Sequence, residues 1–168
     1  MQAPSIPDDA AQRLAALQGM NLLFTPPEER FDRVTRLAST VLGTPVALVT
    51  LVANEIQWFK SAEGLDIKET PRDVSICGHA ILGEDTFVVA DTTKDPRFAD
   101  NPMVTGAPFI KAYAGHPLHA ANGSRVGTLC VVDHKPRKFT RKHLQILRGL
   151  AAIAESELER MQLGETHR

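Results

Sequence analysis

The stretch that decides the fold runs from Asp73 to Asn101. It opens with Asp73-Val-Ser-Ile-Cys-Gly-His-Ala-Ile-Leu82 and continues through the apolar run Phe87-Val-Val-Ala90. It ends with Asp91-Thr-Thr-Lys-Asp-Pro-Arg-Phe-Ala-Asp-Asn101, closed by Pro102. The first part reads as a short helix over 75–82. Ser75 is its N-cap, because a hydroxyl there accepts from the free N–H groups of the first turn, and Gly83 is its stop. Cys77 and His79 then lie near the positive end of the helix dipole. Phe87 to Ala90 reads as a strand. The Asp-, Pro- and Asn-rich connection after it reads as a lid, since long connections of this kind inside a domain usually carry binding function.

Upstream, Asp9 to Gly19 reads as a short helix around Leu14 and Leu17. A second helix follows, with Thr25 as its cap, prolines 26 and 27 in its first turn, and Glu28 and Glu29 at its positive end. Its apolar residues Phe31, Val34, Leu37, Ala38, Val41 and Leu42 recur at threes and fours and define one buried face. Pro45 to Val52 is a continuous aliphatic and β-branched run, read as a buried strand. Asn54-Glu55 turns it into a partner strand, Ile56 to Ser61, on which Trp58 and Phe59 point to opposite faces. Gly64 to Arg72 reads as a loop.

Downstream, a strand lies around Ile110-Lys-Ala-Tyr-Ala114, and Asn122-Gly123 is a strong hairpin signal before the returning strand Arg125 to Asp133. A last helix begins with Phe139 and Thr140 as staple and cap. Its stripe is Leu144, Leu147, Ala151, Ala154, Leu158 and Met161. The tail from residue 163 reads as frayed. Strands joined by hairpins make an antiparallel sheet. The expected class is α+β: N- and C-terminal helices on one face, and the short helix with its lid on the other. The domain limits expected are a helical extension over 1–27, a main domain over 28–162 and a tail over 163–168. A sheet covered by a small helix and a loop leaves a cavity suited to a small ligand.

With 168 residues the chain suits one domain with terminal extensions, and its formal charge of −1 excludes the electrostatic signature of a nucleic-acid binder. Two distant cysteines show neither metal spacing nor a disulfide framework, and no apolar run reaches the length of a signal segment or membrane span. The expectation is a cytoplasmic domain with no nucleic-acid and no membrane partner. The sequence does not identify a cofactor.

Taken in order, several pieces resemble the GAF family of sensory domains, over roughly Glu28 to Leu158. They are Pro45-Val-Ala-Leu-Val-Thr-Leu51, Gln57-Trp-Phe-Lys60, Ser75-Ile-Cys-Gly-His-Ala-Ile81, Val89-Ala-Asp91, Asp95-Pro-Arg-Phe-Ala-Asp-Asn-Pro102, Tyr113-Ala-Gly-His-Pro-Leu118 and Gly127-Thr-Leu-Cys-Val-Val-Asp133. The version is similar to GAF domains attached to bacterial histidine kinases and diguanylate cyclases. The resemblance implies a central antiparallel sheet, a small-molecule pocket under the lid and terminal helices that pair in a homodimer and signal to an output domain or protein. The Asn-Lys…Asp signature of cyclic-nucleotide-binding members and the thioether cysteine pattern of phytochromes are not evident here. Sulfoxide-reducing relatives carry a larger cysteine set than Cys77 and Cys130.

The candidate ligand-binding residues are Phe59, Cys77, His79, Asp91, Arg97, Phe98 and Tyr113. Cys77 reads as a reactive or redox-sensing thiol, or as a small buried packing residue. The reactive reading would make the chain a thiol oxidoreductase or redox sensor. Cys130 reads as core. His79 reads as a donor to a ligand or a carbonyl. Metal binding is disfavoured, because residues at i and i+2 of a helix do not share a face. Asp91 either binds a ligand or caps the lid, and Arg97 either meets an anion or pairs with Asp95 or Asp100. Phe98 anchors the lid, and Tyr113 combines an apolar body with a polar tip. No catalytic constellation is identifiable.

Overall fold

A computed structural model describes the backbone over residues 1–166 and side chains over residues 1–160. Six antiparallel strands form one sheet in the order β3-β2-β1-β6-β5-β4. They are β1 (Val46–Val52), β2 (Ile56–Glu63), β3 (Glu69–Pro71), β4 (Phe87–Val89), β5 (Ala112–His119) and β6 (Arg125–Asp133). The central β1 lies between β2 and β6, and Val46 pairs with Val132 and Leu51 with Gly127. Strand β1 is buried along its whole length, which is why it reads as an unbroken apolar run and not as an alternation.

One face carries α1 (Ala10–Gly19), α2 (Glu29–Leu42) and α5 (Arg141–Thr166). Their core joins Leu17, Phe31, Val34, Ala38, Leu147, Ala151, Ala154 and Leu158 to Ala47, Val49, Leu51 and Trp58 of the sheet. The opposite core joins Leu48, Phe59, Tyr113, Cys130 and Val132 to α3 (Cys77–Ala80) and to the segment ending in α4 (Pro102–Thr105). Trp58 and Phe59 therefore do face opposite layers, and the expected α+β arrangement is the observed one.

Several local expectations need correction. Thr25 does not cap α2: Glu28 holds that position, and the Thr25 hydroxyl donates to Leu22 O and accepts from Lys60 Nζ. Leu37 and Val41 are 45% and 52% exposed, so the apolar face of α2 is narrower than its periodicity suggested. Strand β3 lies inside the expected loop after Gly64. Its three residues are too few for a period to show. Strand β5 continues past Ala114 through Pro117 to His119. Helix α3 is a single turn preceded by a 3₁₀ turn at Arg72–Val74, although the Ser75 hydroxyl does accept from Gly78 N at 3.1 Å. Helix α5 runs on to Thr166, through most of the stretch expected as a tail. The side chain of Met161, expected in its stripe, lies outside the described residues.

The first seven residues are not helical. They form an extended strap along the lid side before α1 begins. Gln2 N donates to Arg97 O at 2.9 Å, and Arg72 Nη2 donates to Pro4 O and Ser5 O at 3.1 and 2.7 Å. Pro4 rests on the backbone of Gly78, where even a Cβ would approach its ring to 2.6 Å.

A titratable clamp ties α5 to the opposite layer. His119, at the end of β5, reaches Glu155 of α5 with Nδ1 at 2.6 Å and Glu84 of the α3–β4 connection with Nε2 at 2.7 Å. Arg125 also bonds Glu84, and His116 lies close by. Two carboxylates on two ring nitrogens require both to donate, so the imidazolium is the matching form. Burial opposes that charge, but the bonds to Glu84 and Glu155 outweigh it and raise the His119 pKa above its ordinary 6.5. With the folded value raised, the clamp's stabilisation is full below about 6.5 and is lost as pH rises through the folded value. Thermal unfolding across about pH 6 to about pH 8.5 is expected to show wild-type stability falling relative to His119→Gln. Parallel curves would exclude the clamp.

Candidate functional site

Between the sheet and the α3–α4 layer lies an apolar cavity. Phe59 of β2, Cys77 of α3, Met103 of α4, Tyr113 of β5 and Cys130 of β6 contribute to its wall. Its free volume is about 20 Å³, the room of one water. A larger guest therefore requires the lid to move. The wall is almost wholly apolar, with one conspicuous exception. Gln57 is buried at 3% exposure, donates through Nε2 to Thr70 Oγ1 at 3.1 Å, and leaves its Oε1 with no hydrogen-bond partner. Such an unpaired buried acceptor costs about 1–3 kcal/mol unless a donor meets it.

At the cavity floor the two cysteines come together. Their sulfurs lie 3.9 Å apart, although 53 residues separate them in the chain. Tyr113 Oη donates to Cys77 Sγ at 3.0 Å and Thr128 Oγ1 donates to the same sulfur at 3.2 Å. Thr50 Oγ1 stands 2.9 Å from Thr128 Oγ1 and extends the chain of hydroxyls. Burial pushes the Cys77 thiol up, but hydrogen bonds from Cys130, Thr128, Tyr113 and Thr50 outweigh it and bring the pKa down to about 7. Cys130 is pushed well above its ordinary value, first by its hydrogen-bond contact with Cys77 and then by burial. Gly115 makes the arrangement possible, because a Cβ there would sit 2.2 Å from Tyr113 Oη.

The expected ligand residues divide into three groups. Phe59, Cys77 and Tyr113 meet at the cavity. His79, Arg97 and Phe98 form a neighbouring cluster under the strap. His79 Nε2 donates to Gln2 O at 3.0 Å, and its ring meets Phe98 edge-on at 4.9 Å. Burial lowers the His79 pKa, which suits a neutral imidazole donor. Arg97 bonds Asp95 at 2.7 Å while its guanidinium lies 5.1 Å from the rings of Phe87 and Phe98. Phe98 is fully buried and anchors the lid. Asp91 stands apart: its carboxylate accepts from Thr93 N at 3.0 Å and caps the 3₁₀ turn that opens the lid, which is the turn reading of that residue. Asn101 likewise caps α4 by accepting from Met103 N at 2.9 Å, and it donates to Val74 O across the lid at 3.1 Å.

Sequence reasoning missed Cys130, Thr128, Thr50 and Gln57 as members of the site. The available signal was alternation: in β6, residues 128, 130 and 132 share the face of Tyr113, so Cys130 points toward the lid. Among the described residues, no group of three or more His, Cys, Asp or Glu side chains is placed to hold a metal ion. Among the same residues no helix is long and apolar enough to cross a membrane.

The architecture matches solved structures closely in shape and weakly in sequence. The blue-light-absorbing PixJ GAF domain of Thermosynechococcus elongatus superposes with a TM-score of 0.67 at 12% identity, over 97% of this chain and 95% of that one. The GAF domain of the Acinetobacter phosphoenolpyruvate-protein phosphotransferase gives 0.62 at 14%, over 93% and 96%. The free methionine-R-sulfoxide reductase of Neisseria meningitidis gives 0.63 at 20%, over 95% and 97%. At these identities the likeness is one of fold. A cyclic di-GMP phosphodiesterase of Pseudomonas aeruginosa is 44% identical over 137 residues, which is 82% of this chain and 23% of that enzyme. This chain thus spans about a quarter of the length of the curated relative it matches. The GAF domain model matches residues 26–158, from just before α2 to Leu158 of α5, and the chain belongs to the GAF domain family.

Proposed function

We propose that this GAF domain is a sensory module that binds a small, largely apolar molecule between sheet and lid and passes the event to an output domain through α5. The observation that carries the reading is Gln57, an unpaired buried acceptor in an otherwise apolar cavity. The chemistry that satisfies it is a compact apolar guest with one N–H or O–H donor. Phe59, Cys77 and Tyr113 line the guest, while Phe98, His79 and Arg97 hold the lid that must open to admit it. The likeness to a portion of a cyclic di-GMP phosphodiesterase supports a cytoplasmic, bacterial setting in which the output is cyclic di-GMP turnover performed elsewhere in a longer protein. Linkage requires the guest to favour one arrangement of the terminal helices over another, and pairing of two copies along those helices is the relay we propose. Reduction of a free amino-acid sulfoxide would need charged partners for an ammonium and a carboxylate. The cavity wall carries none, so a regulatory role is favoured over that catalytic one.

Native and denaturing mass spectra of the purified protein test the reading. Extra mass is expected in the native spectrum alone, and Gln57→Leu is expected to lose that mass while unfolding at a higher temperature than the wild-type protein freed of its guest. Identical native and denaturing masses, together with a Gln57→Leu variant no more stable than wild type, would remove the ligand reading.

A further inference from the structure

We propose that Cys77 and Cys130 form a peroxide-responsive dithiol, in which Cys77 is the attacking sulfur, Cys130 the resolving one, and the product an intramolecular disulfide between α3 and β6. The inference goes beyond ligand sensing and does not require a guest.

Four observations carry it. The sulfurs are already 3.9 Å apart, so about 2 Å of approach brings them to bonding distance. Two hydroxyls, from Tyr113 and Thr128, donate to Cys77 Sγ at 3.0 and 3.2 Å, which suits that sulfur to carry negative charge. Cys130 is wholly buried and has only Cys77 to react with. Both cysteines line the cavity, whose apolar wall favours a small uncharged hydroperoxide, entering by the same lid movement a guest needs, over glutathione and other charged disulfides. The lowering of Cys77 to about 7 keeps a substantial thiolate fraction at neutral pH, and the high value of Cys130 keeps its proton in place until the second step.

The chemistry balances without a metal or cofactor. Cys77 thiolate attacks one oxygen of the hydroperoxide. The S–O bond forms, the O–O bond breaks, and the leaving oxygen takes up the proton that Cys77 gave up, departing as water or an alcohol. The sulfenic acid then meets Cys130. The S–S bond forms, the S–O bond breaks, and the hydroxyl leaves as water with the Cys130 proton. The two thiols lose two electrons and the hydroperoxide gains them. Tyr113 and Thr128 lose their thiolate acceptor, and α3 becomes tied to the sheet. The event therefore alters the same layer a guest would move.

The experiment treats the full chain with hydrogen peroxide, quenches it with iodoacetamide under denaturing conditions and reads intact mass. Wild type is expected to lose two hydrogens, gain no oxygen, resist alkylation and recover both thiols with dithiothreitol. Cys130→Ser is expected to stop at a sulfenic acid that dimedone traps, and Cys77→Ser to leave Cys130 alkylatable at the same dose. Tyr113→Phe is expected to slow the reaction several-fold and move its pH midpoint upward. Circular dichroism confirms that each near-isosteric variant is folded. Two alkylatable thiols in treated wild type, disulfide-linked dimers in place of the internal bond, or oxidation of Cys130 in Cys77→Ser at the wild-type rate would each overturn the proposal. Oxidation leaves the native-mass adduct test of ligand binding independent, so failure of one reading is distinguishable from failure of the other.

Discussion

Leu158→Asp is expected to abolish the cooperative unfolding transition and leave little soluble protein. Leu158 is fully buried in the core that α5 shares with α2 and the sheet. Truncating a buried leucine alone costs about 2–5 kcal/mol, and a carboxylate placed there has no partner to offset its desolvation. The sum reaches the whole stability of a typical domain, about 5–15 kcal/mol. The family resemblance implied pairing through the terminal helices, but Leu147, Ala151, Ala154 and Leu158 are all buried in the protein's own core. A charge at Leu158 therefore reports on folding and not on pairing. Ile153 is the informative position on the same helix, since it is 52% exposed and its substitution should change stability by no more than about 0.5 kcal/mol. If α5 pairs two copies through its outward face, Ile153→Asp stays folded and sediments as a monomer where wild type sediments as a dimer. A soluble, cooperatively folding Leu158→Asp would mean that α5 is not packed as described.

The same contrast explains how much was legible in the sequence. Periodicity located α2, β1, β2, β6 and α5, because each buries a long enough apolar run or stripe to outweigh local alternatives. It did not tell a stripe facing its own core from one facing another copy, because both bury the same residue types. Leu37 and Val41 show the converse error: at about 100° per residue they lie off the arc shared by Phe31, Val34, Ala38 and Leu42, and they point outward. Short elements such as β3 and α4 were invisible, since three or four residues carry no period and are held by neighbours and caps, Asn101 for α4. Of the site, Tyr113, Cys77 and Phe59 were readable as a lid-side cluster. Cys130 was assigned to core from its apolar neighbours, although the alternation of β6 placed it on the face of Tyr113. The unpaired Gln57 oxygen was not legible at all, since satisfaction of a polar atom is a property of the folded neighbourhood.

Gly127→Val is expected to be the second severe substitution, and it links the sheet to the thiol site. At Gly127 the backbones of β6 and β1 approach so closely that an added Cβ would lie 1.7 Å from Thr50 O and 2.8 Å from Thr50 C. The obstruction is backbone at the centre of the sheet, where Gly127 pairs with Leu51, so no side chain can swing aside to relieve it. Overpacking usually costs about 1–3 kcal/mol, and a clash that must force a pair of central strands apart belongs at or above the top of that range. Their separation also draws Thr50 away from Thr128 and withdraws the Thr128 hydroxyl from Cys77. Gly127→Ala, the milder change, is accordingly expected to unfold at lower denaturant and to shift the pH midpoint of Cys77 alkylation upward, toward an ordinary thiol. Gly149→Ala is the matched comparison: it lies within α5, has no atom within 4 Å of its added Cβ, and should gain about 0.5–1 kcal/mol from helix propensity. Urea unfolding of the pair, with alkylation rates measured against pH, separates the two contributions. Equal stabilities for Gly127→Ala and wild type would show that the strands move apart without cost, and an unchanged alkylation midpoint would show that Thr128 does not tune the thiol.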